Sequence, residues 1–214
     1  MGKTADDNRV KLLVGIINRE DEMRLTEIIN EQATALHFSG LGHGTAHSSY
    51  MTYFGFNEID KRMTLSLIPA KLEHEILSEI GHGLKLYLVG RGIAFTMPLS
   101  GISNIINDAI VTGSERSDRT SSRQVPISKK KKEKKAMHEL VIAVVDRKYT
   151  DTAIEAARGA GATGATVFHT KSVNNQKAAQ TIGTTVSQET DSVLFLTTLQ
   201  YKPRSWKLSE MPRV

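Results

Sequence analysis

Apolar residues change rhythm along the chain, and each change marks an element. Val10-Lys11-Leu12-Leu13-Val14-Gly15-Ile16-Ile17 is almost continuously apolar, as a strand covered on both faces should be. From about Asp21, Leu25, Ile28, Ile29, Gln32 and Leu36 recur near helical spacing, and the early acids Asp21 and Glu22 suit a helix start. A glycine-rich stretch over residues 39–45 leads into a polar and aromatic loop over residues 46–60. Met63, Leu65 and Leu67 then alternate with Thr64 and Ser66, a strand pattern. Pro69 stands where a helix can start, Leu72, Ile76 and Ile80 repeat every four residues, and Gly81 is placed to end it. Residues 92–97, closed by Pro98, read as a last strand. The predicted order is β-α-β-loop-β-α-β.

The second half opens the same way. Residues 139–145 match the first strand, and a helix is predicted from Thr152, which has capping-box spacing to Glu155. Residues 165–169 and 192–197 read as strands, with the polar stretch 171–189 in the place of the first half's long loop. The expected fold class is α+β: two tandem copies of a ferredoxin-like βαββαβ unit, over residues 10–112 and 137–200. The second copy lacks its last helix and strand. Residues 1–9 form an N-terminal tail and residues 113–136 a basic flexible linker. Residues 201–214 are an irregular C-terminal tail, in which Pro212 breaks any late helix. A frameshift and a natural short tail both fit that ending, because the bases of residues 205–208, read one position earlier, can encode a helix start. Strands such as 12–17 and 140–145 have no polar face to offer water. Their sheets are therefore expected to cover one another or copies in neighbouring chains, so the chain is expected to assemble.

Composition changes this picture in two places. Hydrophobic residues at 39% and charged residues at 24% fit a soluble globular protein, with no apolar run of membrane-spanning length and no apolar segment for a secretory signal near Met1. The absence of cysteine excludes disulfides and thiolate metal sites and favours a cytoplasmic location. The net charge of +5 points at nucleic acid until it is located. Between Thr112 and Ala136, nine basic residues against three acids give +6 and leave the rest of the chain at −1. No aromatic residue is interleaved with the lysines over 129–135, so that run reads as a solvated spacer, and nucleic acid is not the expected partner.

Candidate chemistry lies in the loops. Gly40-Leu41-Gly42-His43-Gly44-Thr45 closes the second strand, where free glycine N–H groups can form an anion-binding nest. Gly90-Arg91-Gly92 adds a second glycine pair with a planar cation suited to phosphate. The two loops are expected to leave different strand ends, so that chain packing must bring them together. His43 and His47 have no third ligand nearby, and no metal site is expected. Neither a Ser/His/Asp order nor paired carboxylates are present, so no catalytic residue and no enzyme activity are expected.

These loops, in this order, resemble the P-II family of nitrogen-regulatory signal-transduction proteins in its tandem two-repeat form. The phrase Glu155-Ala156-Ala157-Arg158-Gly159-Ala160-Gly161-Ala162-Thr163-Gly164-Ala165-Thr166-Val167 also looks like that family's first helix and second strand. The resemblance covers residues 10–102 and 137–200. It implies a cytoplasmic, trimeric, non-enzymatic regulator that binds ATP or ADP between subunits. A mobile T-loop docks on a transporter or enzyme. Carried over, the nucleotide positions are Gly40, Gly42, Gly44, Thr45, Gly90, Arg91 and Gly92, and the partner-contact loop holds Tyr50, Tyr53, Phe54 and Phe56. Gly44-Thr45-Ala46 stands where the family has Gln-Lys-Gly, which removes a phosphate-directed lysine. In the second copy Ser172-Val173-Asn174-Asn175 stands where glycines are expected. Two alternatives remain at this stage: a metal- or small-anion-binding protein of the same fold, like the copper-tolerance relatives of P-II, and a nucleic-acid binder through the linker.

Overall fold

The computed structural model describes residues 9–43, 60–88, 90–114, 138–159, 161–162, 164–183 and 187–198. The chain is a mixed α+β protein with antiparallel strand pairing. It divides into two compact units, Met1–Ser121 with His169–Glu189, and Ser122–Phe168 with Thr190–Val214. The division does not follow the basic linker, because a stretch from the second half of the sequence clusters with the first unit.

The first unit contains β1 (Val10–Asn18), α1 (Glu22–Gln32), β2 (Leu36–His43), β3 (Asp60–Pro69), α2 (Glu73–Gly83), β4 (Gly92–Pro98) and α3 (Asn104–Ser114). Its strands lie in the order β4-β1-β3-β2, and β2 also pairs through Phe38–Gly40 with Thr170–Ser172 at the end of β6 (Ala165–Ser172). Leu13 and Ile17 of β1 point to one face. There they pack under Leu25, Ile28 and Ile29 of α1 and Ile76 and Ile80 of α2, all buried. The opposite face is apolar as well, and α3 covers part of it: Ile110 and Val111 are buried with Val10, against Leu67. This helix was missing from the sequence reading, although Ile105, Ile106, Ala109 and Ile110 have the spacing of one helical face. The second sheet face is thus partly closed within the chain.

Several boundaries differ from expectation. Leu36 belongs to β2, because Ala33 is extended (φ −147°, ψ 162°) and α1 stops at Gln32. Gly81 does not end α2, which runs to Gly83; no atom lies within 4 Å of a Cβ built on Gly81, whereas one on Gly83 meets Ile28 Cδ1 at 2.6 Å. The second glycine therefore serves the close approach of α1 and α2.

The second unit contains β5 (His138–Asp146), α4 (Thr150–Gly159), the first part of β6 and β7 (Glu189–Thr198, from Thr190), with β7 between β6 and β5. Ala157, Ala162, Val193 and Phe195 form its buried core. Helix α4 starts two residues earlier than expected. A 3-10 turn over Arg147–Tyr149 feeds it, the Asp146 carboxylate accepts the Lys148 N–H at 3.1 Å, and Thr152 lies inside the helix rather than capping it. The supposed loop over 171–189 is not a loop throughout, since it closes β6, holds α5 (Gln176–Ile182) and opens β7. Strands β1 and β5 have nine residues each, β2 and β6 eight, and β3 and β7 ten.

Candidate functional site

Two of the glycines expected to bind a ligand, Gly42 and Gly92, come to one end of the first unit's sheet. Gly42 pairs with Lys61, Lys61 with Asn18, and neighbouring Ile17 with Gly92. The end of β2 and the start of β4 are therefore at the same sheet end, contrary to expectation, because β1 and β2 both run antiparallel to β3. Three strand spacings still separate them, about 14 Å. Gly40 and Gly42 lie within the β2 ladder, paired with Met63 and Lys61, rather than in a loop nest. A Cβ on Gly40 would stand 3.1 Å from the His169 carbonyl oxygen, so this glycine allows β6 to approach. Gly44, Thr45, Tyr50, Tyr53, Phe54 and Phe56 lie outside the described residues, as do the lysines over 129–135 and residues 201–214.

Gly90-Arg91-Gly92 makes the turn into β4. Gly90 (φ +82°) and Gly92 (φ +130°) both have left-handed backbones, and a Cβ on Gly92 would lie 2.2 Å from the Ile16 carbonyl oxygen. Arg91 is held inside the unit: Nη2 donates to Asp21 Oδ1 at 3.0 Å, and Nε donates to the Leu84 carbonyl at 3.2 Å. Lys61, which the sequence reading passed over, spans the row by donating to Asn18 Oδ1 and, at 2.8 Å, to the Gly90 carbonyl. Its position as the second residue of an apolar strand gave no signal. Only the register shows that it faces the turn.

A second charged group adjoins this one at the start of α1. Glu22 is buried, accepts from Lys171 Nζ at 2.9 Å, and lies 3.7 Å from Arg62 Nε. Burial pushes its carboxyl upward. Hydrogen bonding by Ser39 and Lys171, with the charges of Lys171 and Arg62, outweighs that and holds it below the usual range. Lys171 had been expected in a loop of the other copy. Among the described residues, no three His, Asp or Glu side chains converge as metal ligands, and no helix is long and apolar enough to cross a membrane.

The residues that replace the second copy's expected glycines have a structural place. Asn175 bridges the outer edge of β2: its Oδ1 accepts the His37 N–H at 2.7 Å, and its Nδ2 donates to the His37 carbonyl at 2.9 Å. The His37 ring meets Ser66 Oγ at 2.9 Å and Asn30 Oδ1 at 3.3 Å, while Asn30 Nδ2 donates to the Asn174 carbonyl at 2.8 Å. Burial keeps this imidazole neutral, with its pKa pushed down to about 3. No family model matches the sequence, and no curated protein matches it.

Proposed function

We propose that the chain is a non-enzymatic regulatory protein of P-II type, built on tandem ferredoxin-like units, that holds an adenine nucleotide or similar anion at the glycine-bearing sheet end. One observation carries this reading: the end of β2, the start of β3 and the Gly90-Arg91-Gly92 turn share one sheet end, with Lys61 between them. Arg91 has a planar donor fork, now occupied by Asp21 and the Leu84 carbonyl. Ligand phosphate competes with the Asp21 carboxylate for that fork. The chain signals through the loop between β2 and β3, where Tyr50, Tyr53, Phe54 and Phe56 contact a transporter or enzyme, and it works in the cytoplasm. Ile16, Ile93, Phe95 and Met97 leave an apolar strip at the β1–β4 side of the sheet, which supports assembly with further copies, as a trimer.

Calorimetric titration with ATP, ADP and divalent metals tests the ligand. Heat with a nucleotide, stronger in Asp21→Asn and weaker in Arg91→Ala, is the expected outcome. Absence of heat with every nucleotide removes the nucleotide claim. A pull-down compared with a chain lacking residues 46–60 tests the partner loop: capture that survives the deletion removes that role.

A further inference from the structure

Residues 173–182 belong to the second half of the sequence, yet they close the outer edge of β2 within the first unit. Strand β6 pairs with β2 through Phe38–Gly40. At His37 the Val173 N–H still donates to the carbonyl at 3.1 Å, and the Asn175 side chain then stands in for a strand by bonding both backbone groups. The same segment reaches α1. The Asn174 carbonyl accepts from Asn30 Nδ2, Asn174 Nδ2 donates to Thr26 Oγ1 at 3.4 Å, and the Lys177 ammonium donates to the Asn30 carbonyl. Val173 and Ala178 are buried, and α5 packs against α3. His37, 1% exposed, lies beneath this strap: its ring meets Ser66 of β3 and Asn30 of α1, and Asn30 is the residue that the strap holds.

We propose that residues 173–182 are a proton-released strap: protonation of His37 favours an open form in which the strap leaves the β2 edge and Asn30 while the rest of the first unit stays folded. In the closed form the imidazole meets neutral groups, and burial holds its pKa at about 3. In the open form water reaches the ring at the strand edge, and an imidazole in water titrates near pH 6.5. The form that binds the proton more tightly gains population as pH falls. The opening constant therefore rises about 25-fold from pH 7 to pH 5, and about tenfold per pH unit below about pH 6. The charged groups on the surrounding elements do not reverse this sign. Lys177 on the strap, Lys171 on β6 and Arg62 on β3 keep their charges across that range. Glu22 lies about two turns before Asn30 on α1. Its burial, which raises the pKa, is outweighed by Ser39, Lys171 and Arg62, which hold it below the usual range, so Glu22 gains its proton only at lower pH. This inference stands apart from the nucleotide reading.

Native-state hydrogen exchange on the full chain tests it, with rates corrected for the intrinsic effect of pH on amide exchange. Protection over residues 173–182 is expected to fall about 25-fold between pH 7 and pH 5. Global unfolding exposes His37 as well, so urea separates the two routes: the strap amides are expected to depend weakly on urea, because little surface opens, and those of β1 steeply. His37→Gln is expected to remove the fall while the amides of β1 stay protected. If that variant does not fold, the wild-type profile decides, since uptake of one proton per opening gives the tenfold change per pH unit. Three results overturn the proposal: no fall in protection with pH, a fall that persists in His37→Gln, or a urea dependence over residues 173–182 as steep as that of β1. The last result means that the strap leaves only when the whole unit unfolds.

Discussion

His37 shows how one buried side chain ties stability to pH. Its buried imidazole meets the neutral groups Ser66 and Asn30, and burial holds it neutral in the folded protein down to a pKa of about 3. The unfolded chain takes up a proton near pH 6.5. Between those values the unfolded state binds more protons, so stability falls as pH falls. The loss is about 1.4 kcal/mol per pH unit below 6.5, or about 2 kcal/mol at pH 5. Urea denaturation at pH 7 and pH 5 checks this, and His37→Gln is expected to flatten the dependence. Gly92 carries a steric demand instead. Its φ of +130° and the 2.2 Å approach of the Ile16 carbonyl leave no room for a Cβ, so Gly92→Ala is expected to cost about 2–3 kcal/mol. Gly90→Ala, with nothing within 4 Å of its Cβ, pays only for its positive φ and is expected to cost less in the same measurement. The glycine pair was legible in the sequence, but only the packing shows which member the backbone of β1 forbids to change.

At the scale of elements, the short segment leading into α5 is tied to α1 and β2 by polar contacts. Asn174 takes a left-handed backbone (φ +52°), a conformation that Asn tolerates, and this places Asn175 against both backbone groups of His37. Truncation in Asn175→Ala leaves the buried His37 N–H without that acceptor. A cost of about 2–3 kcal/mol is expected, together with faster amide exchange over residues 173–183. Fragment release by limited proteolysis within that stretch is a second readout. Neither α5 nor the Asn pair could be read from periodicity: residues 176–182 offer only Ala178, Ala179 and Ile182 as apolar positions. Helix α3 was overlooked although the spacing of Ile105, Ile106, Ala109 and Ile110 marks it, and it limits how much of the first sheet's second face needs a further cover.

For the whole molecule, the remaining cover is an assembly question. Ile93 is 55% exposed and Phe95 is 40% exposed on an edge strand. Light scattering at increasing concentration is expected to show a trimer that Phe95→Lys with Ile93→Lys dissociates; a wild-type monomer at high concentration contradicts it. By itself the sequence determined most of the strands and helices with strong periodicity, because local spacing of apolar residues records which faces must leave water. Only the tertiary structure decided which residues meet. Lys61 at the Gly90 turn, Lys171 on Glu22 and Asn175 on His37 join residues 29 to 149 positions apart. Such pairs leave no periodic trace in the chain, since register and burial, rather than spacing, bring their polar atoms together.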